Sequence, residues 1–195
     1  MSYVIVALGN PGEEYTNTRH NTGRLVLSSF LKQCGVEEWK EDVKLHALSA
    51  KGKFEGESVQ FVYPETFMNN SGKSVLPLIT SAKKAEKLIV VHDDLDMPLG
   101  AIKISWNRGP GGHNGVLSIQ KTLKTEAFIR VRVGISPSTP GGKLKKPTGE
   151  KVEGFILGEF SKKELDALKK VSKKVAEAIA VILTKGREVA MGEFN

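Results

Sequence analysis

The run Lys87-Leu88-Ile89-Val90-Val91-His92 constrains the fold more than any other stretch of the chain. It is continuous rather than alternating, so both faces of the strand it forms are apolar and need cover on two sides, as in the central strands of α/β sheets. Asp93 stands at its C-terminal end. Tyr3 to Leu8 reads the same way, as a buried strand running into the tight turn Gly9-Asn10-Pro11-Gly12. Arg130 to Ile135 reads as a further strand with Val131, Val133 and Ile135 on one face. Strands are also expected near 44–53 and 58–63, joined by the turn 54–57, and at about 101–106.

Helices are expected between these strands. Leu25, Leu27, Leu31 and Cys34 give one face of a helix from about Asn21 to Gln33, which Gly35 stops. Residues 70–82 read as a helix interrupted or bent by Pro77, and another helix is expected up to about Leu123. Ser161-Lys162-Lys163-Glu164 has capping-box spacing, and Leu165, Leu168, Val171, Val175, Ile179 and Ile182 recur at helical intervals up to Gly186. Residues 136–151 lack apolar periodicity and are rich in Pro, Gly and Lys, so they are expected to form a mobile loop. Strands alternating with helices over 195 residues, 39% of them hydrophobic, imply one three-layer α/β domain spanning residues 1–195. Its sheet is expected to be mixed but largely parallel and twisted, flanked by helices, with an amphipathic helix near the C-terminus.

No apolar run approaches the roughly 18 residues of a membrane span, and Met1-Ser2-Tyr3-Val4 lacks the basic lead of a signal peptide. Cys34 is the only cysteine, which excludes an internal disulfide or a cysteine-rich metal site and suits a reducing compartment. Charge is unevenly spread. Residues 1–100 hold 11 Lys and Arg against 13 Asp and Glu, whereas residues 101–195 hold 18 against 9, so the second half is basic by +9. Clustered cations gain affinity for polyanions by releasing condensed counterions, which fits a nucleic-acid partner without requiring one.

Three polar clusters lie at strand ends or in glycine-rich turns, where open α/β sheets place ligands. They are Asn10 with Tyr15 and His20, then Phe67-Met68-Asn69, then Asp93 with His113-Asn114. A carboxylate bound to one imidazole nitrogen leaves the other free to take a proton from water, so His20 and Asp93 can form a catalytic dyad. No G-x-S-x-G elbow accompanies them, which favours water as nucleophile. Asn10, Asn69 and Asn114 can donate hydrogen bonds to a developing oxyanion. Each also has a structural alternative. Asn10 suits a turn, Asn69 and Asn114 suit helix caps, and Phe67 and Met68 suit a core. Residues 109–115 are glycine-rich but lack the order of a phosphate-binding P-loop, and the four histidines show no metal-ligand spacing.

Four motifs occur together: Gly9-Asn10-Pro11-Gly12 with Tyr15, Thr18-Arg19-His20-Asn21 and Gly23; Pro64 with Thr66-Phe67-Met68-Asn69 and Ser71-Gly72; His92-Asp93 with Leu95-Asp96; and Gly111-Gly112-His113-Asn114-Gly115. Together they closely resemble the bacterial-type peptidyl-tRNA hydrolase family, in order and separation. The resemblance implies a monomeric cytoplasmic esterase that frees tRNA from peptidyl-tRNA, with no cofactor, no metal, no membrane and no obligatory protein partner. It implies that His20 is the catalytic base, that Asp93 stabilises it, and that Asn10 distinguishes blocked from free aminoacyl ends. Tyr15, Phe67, Met68, Asn69, His113 and Asn114 are implied to contact the substrate, and Lys103 and Arg132 the tRNA phosphates. Ser105 departs from the second basic residue that many relatives carry. The rival expectation is an RNA-binding relative on the same fold that has lost catalysis, as in splicing-factor members.

Overall fold

The computed structural model describes residues 2–195; Met1, the first residue of the expected lead into the first strand, lies outside them. Among the described residues seven strands form one sheet: β1 (Tyr3–Ala7), β2 (Lys40–Asp42), β3 (Ala47–Phe54), β4 (Glu57–Pro64), β5 (Leu88–Pro98), β6 (Ile102–Trp106) and β7 (Ile129–Ser136). Their order is β2-β3-β4-β1-β5-β7-β6. The central four, β4, β1, β5 and β7, run parallel, while β2, β3 and β6 add antiparallel edges. The mixed, largely parallel sheet expected from the apolar runs is therefore present.

Helices cover both faces, because the central strands are apolar on both. On one side Ile5, Phe61, Ile89, Val131 and Val133 pack against α1 (Thr22–Val26), α2 (Ser28–Gln33) and α7 (Lys162–Lys185). On the other, Val6, Val62, Leu88 and Val90 meet α3 (Gly72–Val75), α4 (Ala82–Ala85) and α5 (Asn114–Leu123). Helix α7 begins with the expected capping box: the Ser161 hydroxyl accepts from the Glu164 N–H and the Glu164 carboxylate accepts from the Ser161 N–H. Its Leu168, Val171, Val175, Ile179 and Ile182 are buried. At ~1.5–3 kcal/mol for each fully buried large aliphatic side chain, that face is a major tie between the last third of the chain and the sheet.

Several elements differ from expectation. The helix expected over 70–82 is two short ones, α3 and α4, separated by a turn at 76–78; Pro77 has no N–H to donate and its ring clashes with a preceding carbonyl. The helix expected over 21–33 is divided at Leu27, which is fully buried. Strand β5 continues past His92 to Pro98, with a register shift against β7 between Asp94 and Pro98. Strand β2, helix α6 (Lys151–Ile156) and helix α8 (Arg187–Phe194) were not foreseen. Within 136–150 the chain folds back on itself through a bridge between Ser138 and Leu144.

Strand β1 is flanked by β4 and β5, and the chain returns to opposite sides of it in those two strands. The carboxyl ends of β1 and β5 thus border the crevice where doubly wound sheets bind ligands.

Candidate active site

The turn after β1 is held by its own amides. Asn21 Oδ1 accepts from the Asn10 N–H (2.8 Å), and Asn21 Nδ2 donates to the Asn10 carbonyl (3.0 Å). Asn10 Oδ1 in turn accepts from the Met68 N–H (2.8 Å), joining the ends of β1 and β4. The amide Nδ2 of Asn10 is left as a donor on a side chain that lines the main cavity. Asn21 was not among the expected site residues, although it stands in the Thr18-Arg19-His20-Asn21 motif beside His20.

His20 sits in a single 3-10 turn, Arg19–Asn21, immediately before α1. That turn lies hard against the sheet because of Gly23, where a Cβ would approach the Val91 and Leu8 carbonyls to 2.4 and 2.6 Å. No larger residue permits the approach. From the other side Arg19 donates to the Gly158 and Glu159 carbonyls (3.2 and 2.8 Å) and to both Glu164 oxygens (3.2 Å each), tying the turn to the segment joining α6 and α7.

These restraints bring His20 to Asp93, its partner at the end of the β5 apolar run. His20 Nδ1 lies 3.1 and 3.0 Å from the two Asp93 oxygens, and both residues are buried. Burial works against a charged imidazole, but the Asp93 charge and hydrogen bond outweigh it and leave the His20 pKa raised above 6.5. Asp93 is itself held well below the usual carboxylate range: burial opposes ionisation, and the His20 and His113 rings override it. With Nδ1 committed to Asp93, His20 Nε2 has no protein partner among the described residues, on a side chain that lines the cavity.

Two more histidines enclose Asp93. His113 Nε2 lies 3.0 Å from Asp93 Oδ1, and His92 Nδ1 donates to the Asp93 carbonyl at 2.6 Å. His92 Nε2 is buried without a partner among the described residues. Burial, then the adjacent His113 and Arg130, push the His92 pKa well below 6.5 against the pull of Asp93. The unfolded chain therefore binds a proton at His92 that the folded one refuses. Stability should be full above about pH 6.5 and fall as pH drops below it, with a slope approaching ~1.4 kcal/mol per pH unit. Thermal unfolding from pH 7 to 5 checks this: His92→Asn, which keeps a donor near the Nδ1 position, should flatten the decline, and an equally steep decline in the variant counts against it.

The cavity measures about 840 Å³ and is lined by Asn10, Tyr15, His20, Phe67, Met68, Asn69, Asp93, His113 and Asn114, so all nine expected catalytic and substrate-contact residues converge on it. Their settings differ. Asn69 and Asn114 are exposed, and neither caps its helix, since Phe67 and His113 hold the capping positions. Met68 is core, but Phe67 is 59% exposed and meets the Tyr15 ring edge-on at 6.5 Å, forming an aromatic wall. The cavity continues along Leu95, Val152 and Ile156, with Lys146 and Asp96 paired at 2.5 Å beside it. His20, Asp93 and His113 are the one cluster among the described residues with metal-ligating atoms gathered, all within 4.8 Å. Their close nitrogens and oxygens are already engaged with one another in a proton-bearing hydrogen-bond network.

The two expected phosphate-binding residues lie apart from the nine, on adjacent strands. Lys103 of β6 and Arg132 of β7 are register partners in the antiparallel ladder. Arg132 Nε donates to Asp94 (2.6 Å) and Nη1 to the Ser105 hydroxyl (3.3 Å), so Ser105 orients the guanidinium and Nη2 is unpaired among the described residues.

Known proteins resemble the chain along nearly its whole length. The family model for peptidyl-tRNA hydrolase matches residues 4–195. A peptidyl-tRNA hydrolase of Syntrophotalea carbinolica is 38% identical over 194 residues, covering 98% of this chain and 96% of its own. One of Caldanaerobacter subterraneus subsp. tengcongensis is 39% identical over 194 residues, covering 99% of each. The crystal structure of peptidyl-tRNA hydrolase from Acinetobacter baumannii superposes with a TM-score of 0.85 at 32% identity, covering 100% of this chain and 94% of that one. Sequence and fold agree over a shared full length, and the chain belongs to the peptidyl-tRNA hydrolase family.

Proposed function

We propose that the protein hydrolyses the ester between a peptide and the 3′ ribose of tRNA, with water as nucleophile and His20 as general base. The observation that carries this reading is the division of labour on one ring. His20 Nδ1 is fixed on buried Asp93, while Nε2 has no protein partner at the cavity. Nε2 takes a proton from water as the water attacks the ester carbonyl, and Asp93 stabilises the imidazolium that forms. The Asn10, Asn69 and Asn114 amides supply donors for the oxyanion, typically worth ~3 kcal/mol each when preorganised. Phe67 and Tyr15 offer rings to the bases of the tRNA end or to the peptide. Family membership supports monomeric action in the cytoplasm without an obligatory protein partner.

Release of acetylated amino acid from its tRNA by the wild-type protein tests the activity directly; binding of that substrate without release would overturn the reading. The tRNA body is assigned to Lys103 and to the unpaired Nη2 of Arg132. Lys103→Ala or Arg132→Ala should reduce the slope of log affinity against log salt by about 0.9 per lost phosphate contact, with kcat nearly kept. Unchanged slopes in both variants would return the two residues to a structural role.

A further inference from the structure

We propose that His113 is a positioning residue that fixes Asp93 from the start of α5, rather than a substrate contact. Helix α5 has an imidazole where Ser, Thr, Asp or Asn usually stand. His113 Nδ1 accepts from the Gly115 and Val116 N–H groups (3.1 and 3.4 Å). Two donors aimed at one nitrogen require a lone pair there, so the ring proton sits on Nε2, which donates to Asp93 Oδ1. His113 thus caps the helix through Nδ1 and donates toward Asp93 through Nε2.

Packing leaves the ring little freedom. It lies between His20 (centroids 4.8 Å) and His92 (4.7 Å), and both residues are buried. Gly115 permits this, since a Cβ there would meet Met68 Sδ at 2.5 Å and His113 Cε1 at 3.2 Å. Asp93 is thus held by its carbonyl through His92 and by Oδ1 through His113, so its carboxylate presents one fixed direction to His20 Nδ1. The donated hydrogen bond also takes up part of the Asp93 charge, which tempers how strongly Asp93 raises the basicity of His20. The charged and titratable groups around this cluster are Asp93, His92 and Arg130 from β5 and β7 and His20 from the turn before α1.

The inference rests on His20 being the base, and its test separates the two. An Asn δ-amide occupies the place of Nδ1 and a Gln ε-amide that of Nε2. His113→Asn therefore keeps the cap and loses the bond to Asp93; His113→Gln keeps the bond and loses the cap. His113→Asn should lower kcat by roughly tenfold with KM little changed, and move the acid limb of the pH profile upward. His113→Gln should keep kcat within about threefold while lowering Tm. A rise in KM alone for His113→Asn, with kcat and the pH profile intact, overturns the proposal in favour of a substrate contact. Equal loss of kcat in both variants overturns it too. In the wild-type protein, 15N NMR should show neutral His113 with a bare Nδ1 and its proton on Nε2, and the opposite tautomer overturns the proposal without any variant. If His20→Ala retained full turnover, the base assignment would fail while the His113 tautomer stood.

Discussion

Replacing His20 by alanine should lower the turnover of peptidyl-tRNA by about 10²–10⁴-fold while leaving tRNA affinity nearly unchanged. The size follows from the lack of any substitute: Asp93 has its oxygens on His20 and His113, and the His92 Nε2 is buried away from a cavity that His92 does not line. The asparagine donors and the aromatic wall survive the change, so residual hydrolysis above the uncatalysed rate is expected. Single-turnover rates with saturating enzyme, alongside equilibrium binding of uncharged tRNA, distinguish lost chemistry from lost affinity. Full turnover by a folded His20→Ala protein would remove the dyad from the mechanism. A wild-type protein that bound tRNA with no turnover would instead be the silent RNA binder that the basic second half also allows.

The parts of this architecture legible in the sequence are those with a strong local pattern. The run ending at His92 is apolar on both faces because β5 lies between β1 and β7 with helices above and below, so its pattern states its position. Helix α7 carries both a capping box and a 24-residue periodic face. Helix α6, by contrast, has only Val152, Phe155 and Ile156 half-buried at helical spacing and no side-chain cap, and its six residues are too short a run for periodicity to single out. Helix α8 follows directly on Gly186, which reads as a stop, and only its Ala190 is buried. Strand β2 is Lys40-Glu41-Asp42, an edge with no apolar member.

Within the site, Asn10, His20 and Asp93 are legible as polar residues at the ends of apolar runs. Their meeting is not, because β1 and β5 become neighbours only after the intervening chain has formed β2, β3 and β4 on the other side of β1. The structural alternative for Asn114, a helix cap, fails by one residue for a related reason. Asn114 has the chemistry of a cap, but His113 takes the position because its other nitrogen has Asp93 to satisfy. That long-range bond overrides the local preference.

The same bond makes Asp93→Asn a sharper test than its near-identical shape suggests. Turnover should fall on the order of 10²-fold or more, and the acid limb of the profile should move downward. Without the Asp93 charge, burial acts unopposed on His20, so its pKa, raised in the wild type, drops below 6.5 and the base stays deprotonated to lower pH. A base that is deprotonated over a wider range yet works more slowly is not limited by its protonation state; it has lost the charge that stabilises its imidazolium and the partner that sets its tautomer. His113 Nε2 donates and cannot do otherwise, so the Asn oxygen turns toward His113 and the amide NH2 toward His20 Nδ1. His20 then carries its proton on Nε2, the nitrogen that must accept one from water. Asp93→Ala lacks that donor and leaves the ring free to adopt either tautomer, so the alanine variant should be no slower than the asparagine variant. Rates for both across pH 5–8, with the His20 tautomer read by 15N NMR, decide the matter. An unshifted acid limb in both variants would remove Asp93 as the source of His20 basicity, and an asparagine variant faster than the alanine one would show that tautomer control does not govern the rate.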